Sequence, residues 1–350
     1  MSARLLLTCL LGTAAVAEAP PAVVFEKATI PDRQEQQPAA LTALVPKGWK
    51  VQGGPKWYPT FVHQVSFELR VGNPAGDEQV EVFPTYWFTH SENNPFPPRP
   101  MTPYMGQVWL APHDPVEMLE KVTVPGFRAA QRPRVTQREE LKDLARGFAR
   151  ADGQAVKAGR VRVEYEARGR PVEEDFYIVL SYYQLKTAAG SILNWSPVVM
   201  PFAVRAARGK LDAASSTLLA CAFSVQPTPA YYKAMRLAQT KFIGNMVLYQ
   251  ELDRQDARAI FKTRADIAEV YQNIWKEKSR ADQRTFETRQ DLLGGVAPYR
   301  GEGSTYLLPH THKYQWASND GTTVILTDDI NYDPGIGSRV RWERLTGAKR

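Results

Sequence analysis

Polar and apolar residues trade places with a period of two along one early stretch of the chain. Phe61, His63, Val65, Phe67, Leu69 and Val71 are interleaved with Val62, Gln64, Ser66, Glu68 and Arg70. That period predicts a half-buried strand. Asn73-Pro74-Ala75-Gly76-Asp77 has turn chemistry, and residues 79–88 return as a second strand with Val80 and Val82 on one face. Pro84 cannot donate to a ladder, so an edge position or a bulge is expected there. The period recurs at Val161, Val163 and Tyr165, set between Arg160, Arg162, Glu164 and Glu166. It predicts a strand with a charged, exposed face. Arg168-Gly169-Arg170-Pro171 turns the chain, and Glu173-Glu174-Asp175 just beyond are expected to face water. Residues 41–45, 176–185 and 192–206 read as further strands.

Helical spacing interrupts these strands. Asp114-Pro115-Val116-Glu117 starts a helix with an N-cap aspartate, a first-turn proline and a glutamate three positions on. It is expected to end before Pro125-Gly126. Residues 138–148 predict a second helix, and residues 211–223 a third, capped by Asp212. The longest helical pattern covers residues 230–293, with Met235, Ala238, Phe242, Met246, Tyr249 and Leu252 on one face. As a single rod it would span roughly 95 Å. Its stripe weakens at Asp253-Arg254-Gln255-Asp256, which predicts a break or an αα-hairpin. Pro227-Thr228-Pro229 before it reads as a hinge. Gly294-Gly295 ends it, and a β tail follows, with Asn319-Asp320-Gly321 as a hairpin turn.

The expected layout is a lead-in at 18–40, an α+β domain at 41–226, a helical connector at 227–293 and a C-terminal β module at 294–350. The order of elements predicts α+β, an α/β/α sandwich on a mainly antiparallel sheet. Pro46-Lys47-Gly48-Trp49 after the first strand, the long hairpin of 61–88, and late strands leading into a helix that ends at Phe223-Ser224-Val225 resemble PsbP, the extrinsic photosystem family. The resemblance covers about residues 40–226. It implies architecture and carries no catalytic residue across. The whole layout is also similar to secreted bacterial proteins of unknown function.

Composition sharpens the picture in three places. The formal net charge is +7, with 44 Lys and Arg against 37 Asp and Glu. The two signs are interspersed, with no basic stripe interleaved with aromatics, so nucleic acid is not an expected partner. Residues 1–17 carry a short positive start, an apolar run at 5–14 and small residues at Ala15-Val16-Ala17. They predict a signal peptide cleaved near Ala17, and hence export to the periplasm or beyond. The apolar run is too short to span a bilayer. Cleavage removes Cys9 and leaves Cys221 in an apolar run, where a thiol behaves as a small hydrophobe.

Candidate chemistry is sparse. His310 and His312 could meet one metal if their segment is extended, since i and i+2 then share a side. Asp329, Asn331 and Asp333 alternate as calcium ligands do, but Pro334 and Val340 stand where an EF-hand needs glycine and glutamate. The alternative there is a polar turn. The stretch 91–115 holds seven prolines among Phe96, Tyr104 and Trp109, and reads as a long loop or as a lid over a pocket. No nucleotide-binding glycine pattern or nucleophile elbow is present, so no cofactor and no catalytic residue are assigned. The expectation is an exported, non-enzymatic binding or accessory protein whose helical stripe packs on the first domain, on itself or on a second subunit, with Met235, Phe242, Met246 and Tyr249 as the face for a protein partner or for self-association. The alternatives are a hydrolase-like enzyme with a pocket under 91–115, and a metal-binding C-terminal module.

Overall fold

The computed structural model describes residues 23–252 and 296–347, apart from 59–60, 62–63, 93, 95, 105, 149–153, 188–189, 199 and 302–303. The signal segment and the connector beyond Leu252 lie outside the described residues. The expected lead-in is built into the fold: β1 (Val23–Asp32) and β2 (Gln37–Pro46) form an antiparallel hairpin. Its buried residues include Phe25, Ile30, Ala40, Leu41, Ala43 and Val45. The Pro, Gln and Ala composition concealed it because the partner that completes it comes from the far end of the chain.

The first predicted hairpin is present with shorter strands. β3 (Lys50–Trp57) pairs with β4 (Val65–Gly72), and β4 with β5 (Gln79–Val82). An edge position or bulge was expected at Pro84 within one strand over 79–88; the strand instead ends at Val82, and the chain resumes as β6 (Phe88–Ser91). The proline-rich stretch supplies two short strands, β7 (Thr102–Tyr104) and β8 (Gln107–Trp109), and β8 pairs parallel to β6.

Asp114 caps α1 (Pro115–Met118), accepting a bond from the Glu117 amide at 2.9 Å. The helical path does not stop before Pro125. A π-helical turn at Leu119–Thr123 leads into α2 (Val124–Arg128), with proline near its start. The extra residue in that turn accommodates the missing proline N–H, so the chain stays helical as far as Arg128. Residues 134–140 are strand β9 (Arg134–Glu140), paired with β10 (Ala155–Ala167), where a helix from 138 was expected. Only α3 (Lys142–Gly147) is helical there. Ladder pairing to β10 overrides the helical propensity of this charged run.

β11 (Arg170–Thr187) is the spine of the sheet. β10 runs along one side of it, and β12 (Gly190–Pro197) and β13 (Phe202–Ala207) share the other. The result among the described residues is an 11-stranded sheet, antiparallel except for the β6–β8 pair. Alternation divides its side chains between two cores. Val161, Val163, Phe176 and Ile178 face Met118, Leu119 and Val124. Tyr177, Phe202 and Val204 face α4 (Leu211–Ser224), through Leu218, Leu219 and Ala222. Helices on both faces of a mainly antiparallel sheet make the fold α+β, as the order of elements predicts.

The chain then adds β14 (Gln226–Pro227), paired with β2, and α5 (Pro229–Leu252). The tail holds β15 (Val296–Gly301), β16 (Ser304–Pro309), β17 (Tyr314–Ser318), β18 (Thr323–Thr327), β19 (Trp342–Arg344) and β20 (Thr346–Gly347). It is not set apart from the lead-in. β18 pairs with β1 from Val23↔Leu326 to Glu26↔Thr323, giving a six-stranded sheet in the order β14-β2-β1-β18-β17-β19. Leu308, Val324 and Leu326 share one core with Phe25, Val71 and Leu218. The boundaries expected at residues 40 and 294 therefore cut through one sheet and one core.

Candidate functional site at the base of the long helix

Three buried carboxylates organise the interior, and their surroundings differ. Glu174 and Asp175 are each 1% exposed, which corrects the expectation that this acidic triplet faces water. As neighbours on β11 they point to opposite faces of the sheet. Arg128 reaches Glu174 with two bonds, Nε to Oε2 at 2.8 Å and Nη2 to Oε1 at 2.7 Å. Its Nη2 also bonds Glu81 Oε2, and Tyr165 O–H donates to Glu174 at 2.7 Å. The guanidinium lies 5.7 Å from the Phe83 ring centre and 5.5 Å from that of Phe176, so cation–π attraction adds to the ion pairs. Burial alone would raise the Glu81 carboxyl, but Arg128 and Arg70 hold it below its ordinary value. Burial and the Glu174 charge push the Tyr165 phenol up to about 12.

On the other face Arg162 forks onto Asp175, at 2.7 and 2.8 Å, and extends to Asp212 at 2.6 Å. Asp212 lies in the first turn of α4, whose N-cap is Lys210. The aspartate thus ties the helix to the sheet, where a cap was expected. Arg162 is itself buried, so the charged face predicted for β10 is covered at its centre, while Arg160 and Glu164 are half-buried and Glu166 is exposed. The neutralising arginines stand 13 and 46 positions from their acids, a separation no local pattern reveals.

Asp32 is the third acid, also 1% exposed. Its Oδ1 accepts the Gln34 and Glu35 amides at 2.9 and 3.1 Å. Its Oδ2 accepts the Trp57 indole N–H at 2.7 Å and the Tyr231 O–H. Trp57 and Tyr231 also pack edge to face, with ring centres 6.5 Å apart. Among the described residues its hydrogen-bond partners are all neutral, and they come from the β1–β2 turn, from β3 and from the first turn of α5. Burial would raise this carboxyl. The bonds from Tyr231 and Trp57, with the two amides, outweigh that and hold it below its ordinary value. The Tyr231 phenol is pushed well above its ordinary value by burial and by the Asp32 bond, so it remains a donor. Asp32 lies in the stretch read as a lead-in, and nothing in the sequence flags it.

The base of α5 is stitched to β2 as well. Thr228 N–H donates to Ala39's neighbour, the Ala40 carbonyl, at 2.9 Å, and Thr228 Oγ1 donates to the Ala39 carbonyl at 2.8 Å. The same hydroxyl accepts the Tyr231 amide at 3.3 Å, capping the helix. Of the residues expected to meet a partner, Met235 packs half-buried against the core and Phe242 is half-buried. The Met246 and Tyr249 side chains lie outside the described residues. The inward face of α5 is thus the one the apolar stripe marks. The outward face carries exposed Lys233, Leu237 and Lys241, with Leu237 57% exposed.

His310 and Thr311 form a turn after Pro309, not the extended segment that would bring both imidazoles to one side, and Thr311 Oγ1 lies 3.0 Å from His312 Nδ1. Among the described residues no group of three His, Cys, Asp or Glu gathers as a metal would need. Asp329 and Asp333 accept the Asn331 and Gly335 amides at 2.9 and 2.8 Å, the polar-turn alternative. The proline stretch is laced to the sheet edge. Trp109 is buried between Tyr104 and His90, with ring centres 5.1 and 5.2 Å away, while Phe96 is left exposed. Cys221 is fully buried, and burial pushes its thiol up to about 12, as a packing residue requires.

No family model and no curated protein matches the chain. Among solved structures it is similar to the solution structure of cyanobacterial PsbP (CyanoP) from Synechocystis sp. PCC 6803. The identity is 12%, the match covers 58% of this chain and 93% of that one, and the TM-score is 0.25. A likeness at that score supports no inference, and the fold class rests on the sheet topology. Among the described residues, no helix is long and apolar enough to cross a membrane.

Proposed function

We propose that the chain is an exported, non-enzymatic binding or accessory protein of the cell envelope, with α5 as its contact arm. The observation that carries this reading is the division of α5 into two faces. Tyr231 and Met235 fix one to the core, while Leu237 stands exposed between Lys233 and Lys241 on the other. An exposed leucine flanked by cations suits a partner with an apolar patch rimmed by acidic groups. The two sheet acids, Glu174 and Asp175, fit a structural role, because guanidinium groups already neutralise them. The PsbP-like plan for residues 41–226 belongs to the same proposal, supported by the turn at Pro46–Trp49 and by helices on both faces of the sheet.

The test is photocrosslinking in envelope extract, with a photoreactive residue at position 237 or at buried position 218. The reading expects a discrete adduct from 237 and none from 218. No adduct at 237, together with turnover of an ester, phosphoester or glycoside substrate, would overturn it.

One observation favours the enzyme alternative. A solvent-open groove of about 360 Å³ borders the end of the proline stretch, lined by Asp114, Glu117, Glu120, Lys121, Arg138 and Glu140. Next to the groove, His113 Nδ1 lies 3.3 Å from the lining residue Glu117. The Lys121 bond holds Glu117 below its ordinary value, which leaves it an ionised partner for the imidazole and a poor proton donor. Turnover lost in His113→Ala and in Glu117→Gln would favour that reading. The metal-binding alternative for the tail predicts calorimetric heat with zinc that is lost in His310→Ala.

A further inference from the structure

We propose that α5 is a latched arm, hinged at Pro227-Thr228-Pro229 and held in its direction by the Asp32 carboxylate through Tyr231 and Trp57. The hinge comes from sequence and geometry together. Two prolines flank Thr228, whose bonds to Ala39 and Ala40 fix the pivot and whose hydroxyl reaches the helix beyond it in its first turn, at the Tyr231 amide. The latch lies one turn further on, where the Tyr231 O–H meets Asp32 Oδ2. Met235 and Ile243 add apolar contacts or burial along the arm. Apolar burial is non-directional and tolerates sliding. A hydrogen bond to a carboxylate that is itself held by three other donors does not, so Asp32 is the residue that sets the angle.

A buried carboxylate without a cationic partner is costly to keep. That cost is accepted here at the one point where β1, β3 and α5 meet. Neutral donors have a further consequence. A buried ion pair that loses one member leaves a naked charge, whereas this carboxylate, on losing Tyr231, keeps Trp57 and two amides. The latch can therefore open without stranding its charge. The arm is about 36 Å long at 1.5 Å per residue, so a small rotation at the hinge moves its far end by several ångströms. This inference deepens the binding role proposed above, since it states what holds the contact arm. It concerns the free protein, and its failure would leave the binding reading standing.

The test is a distance distribution between spin labels at Lys50→Cys on β3 and Lys241→Cys on α5, in the full chain with Cys9→Ser and Cys221→Ala. The parent is expected to give one narrow distribution. Asp32→Asn turns one acceptor oxygen into an amide NH2, which donates and accepts from neither Trp57 nor Tyr231, and should roughly double the width or add a second distance. Tyr231→Phe removes only the hydroxyl and should broaden the distribution in the same direction, which keeps the test decisive if the asparagine variant folds poorly. Trp57 serves as an internal reporter, its emission shifting in Asp32→Asn and losing that shift in a Trp57→Phe background. A distribution as narrow in Tyr231→Phe as in the parent would overturn the latch. So would broadening that appears equally between two labels placed within the sheet.

Discussion

Buried acids do two different jobs in this protein. Glu174 and Asp175 lie in the middle of the long strand β11, and each is gripped by an arginine that ties a helix to the sheet. Asp32 lies where three elements converge, and its partners are an indole, a phenol and two amides. The contrast shows what a counter-ion contributes. A guanidinium in a fixed fork locks a carboxylate in one geometry, and removing it strands a charge. Neutral donors hold a carboxylate with smaller, separable bonds, suited to a junction that can be released.

The comparison can be broken most forcefully at Arg128. Arg128→Met leaves Glu174 and Glu81 without their shared cation, and the expected loss is about 3–5 kcal/mol of unfolding free energy, read from the urea midpoint. Adding Glu174→Gln to that variant should restore part of the loss, because the stranded charge goes with it. Gly159→Ala attacks the same network from behind. A Cβ there would sit 2.9 Å from Pro115 Cβ and 3.1 Å from the Val116 amide nitrogen, pushing α1, and with it Arg128, off the sheet. The expected cost is about 1–3 kcal/mol by the same measurement. At the junction, Asp32→Asn should cost less, about 1–2 kcal/mol. Leu237→Ser on the outward face should stay within about 0.5 kcal/mol of the parent, while weakening any crosslink from that face.

Acid sharpens the contrast further. Asp32 and Glu81 are both held below their ordinary values. Each therefore contributes stability that is fully present above the unfolded carboxylate range of about 3.9–4.3, and loses it as pH falls through the lower folded value. Around Asp32 the other titratable groups, among the described residues, include Glu35 in the β1–β2 turn and Tyr231 on α5. Trp57 emission should thus stay constant from neutral pH down to about 4 and change below it. A change centred near neutrality would assign the transition to another group.

Much of the framework was legible in the pattern of the chain. The strand at Val65–Gly72, the cap at Asp114 and the hairpin at Asn319-Asp320-Gly321 are all set by neighbours in sequence, and period and turn chemistry report such features. What stayed hidden depends on distant partners. The lead-in is a strand because β18, some 300 residues later in the register Val23↔Leu326, pairs with it. Glu174 reads as a surface acid until Arg128 is brought to it, and that required a helix to pass through Pro125. The site at the base of α5 was half visible. The Pro-Thr-Pro hinge and the apolar stripe were in the sequence, which left the stripe to pack on the first domain, on itself or on a partner, and Met235 turns toward the core. Asp32 gave no signal, since one aspartate in a low-complexity stretch carries no spacing to read.

Hydrogen exchange followed by mass spectrometry on Arg128→Met and Asp32→Asn, side by side, tests the distinction most directly. The expected result is faster exchange in β10, β11 and the α1–α2 helical path together for the arginine variant. For the aspartate variant, acceleration should be confined to the first turns of α5 and the β1–β2 turn, with β11 at the parent rate. Acceleration of β11 by Asp32→Asn to the same degree as by Arg128→Met would contradict the account, for Asp32 would then be one more strut of the fold.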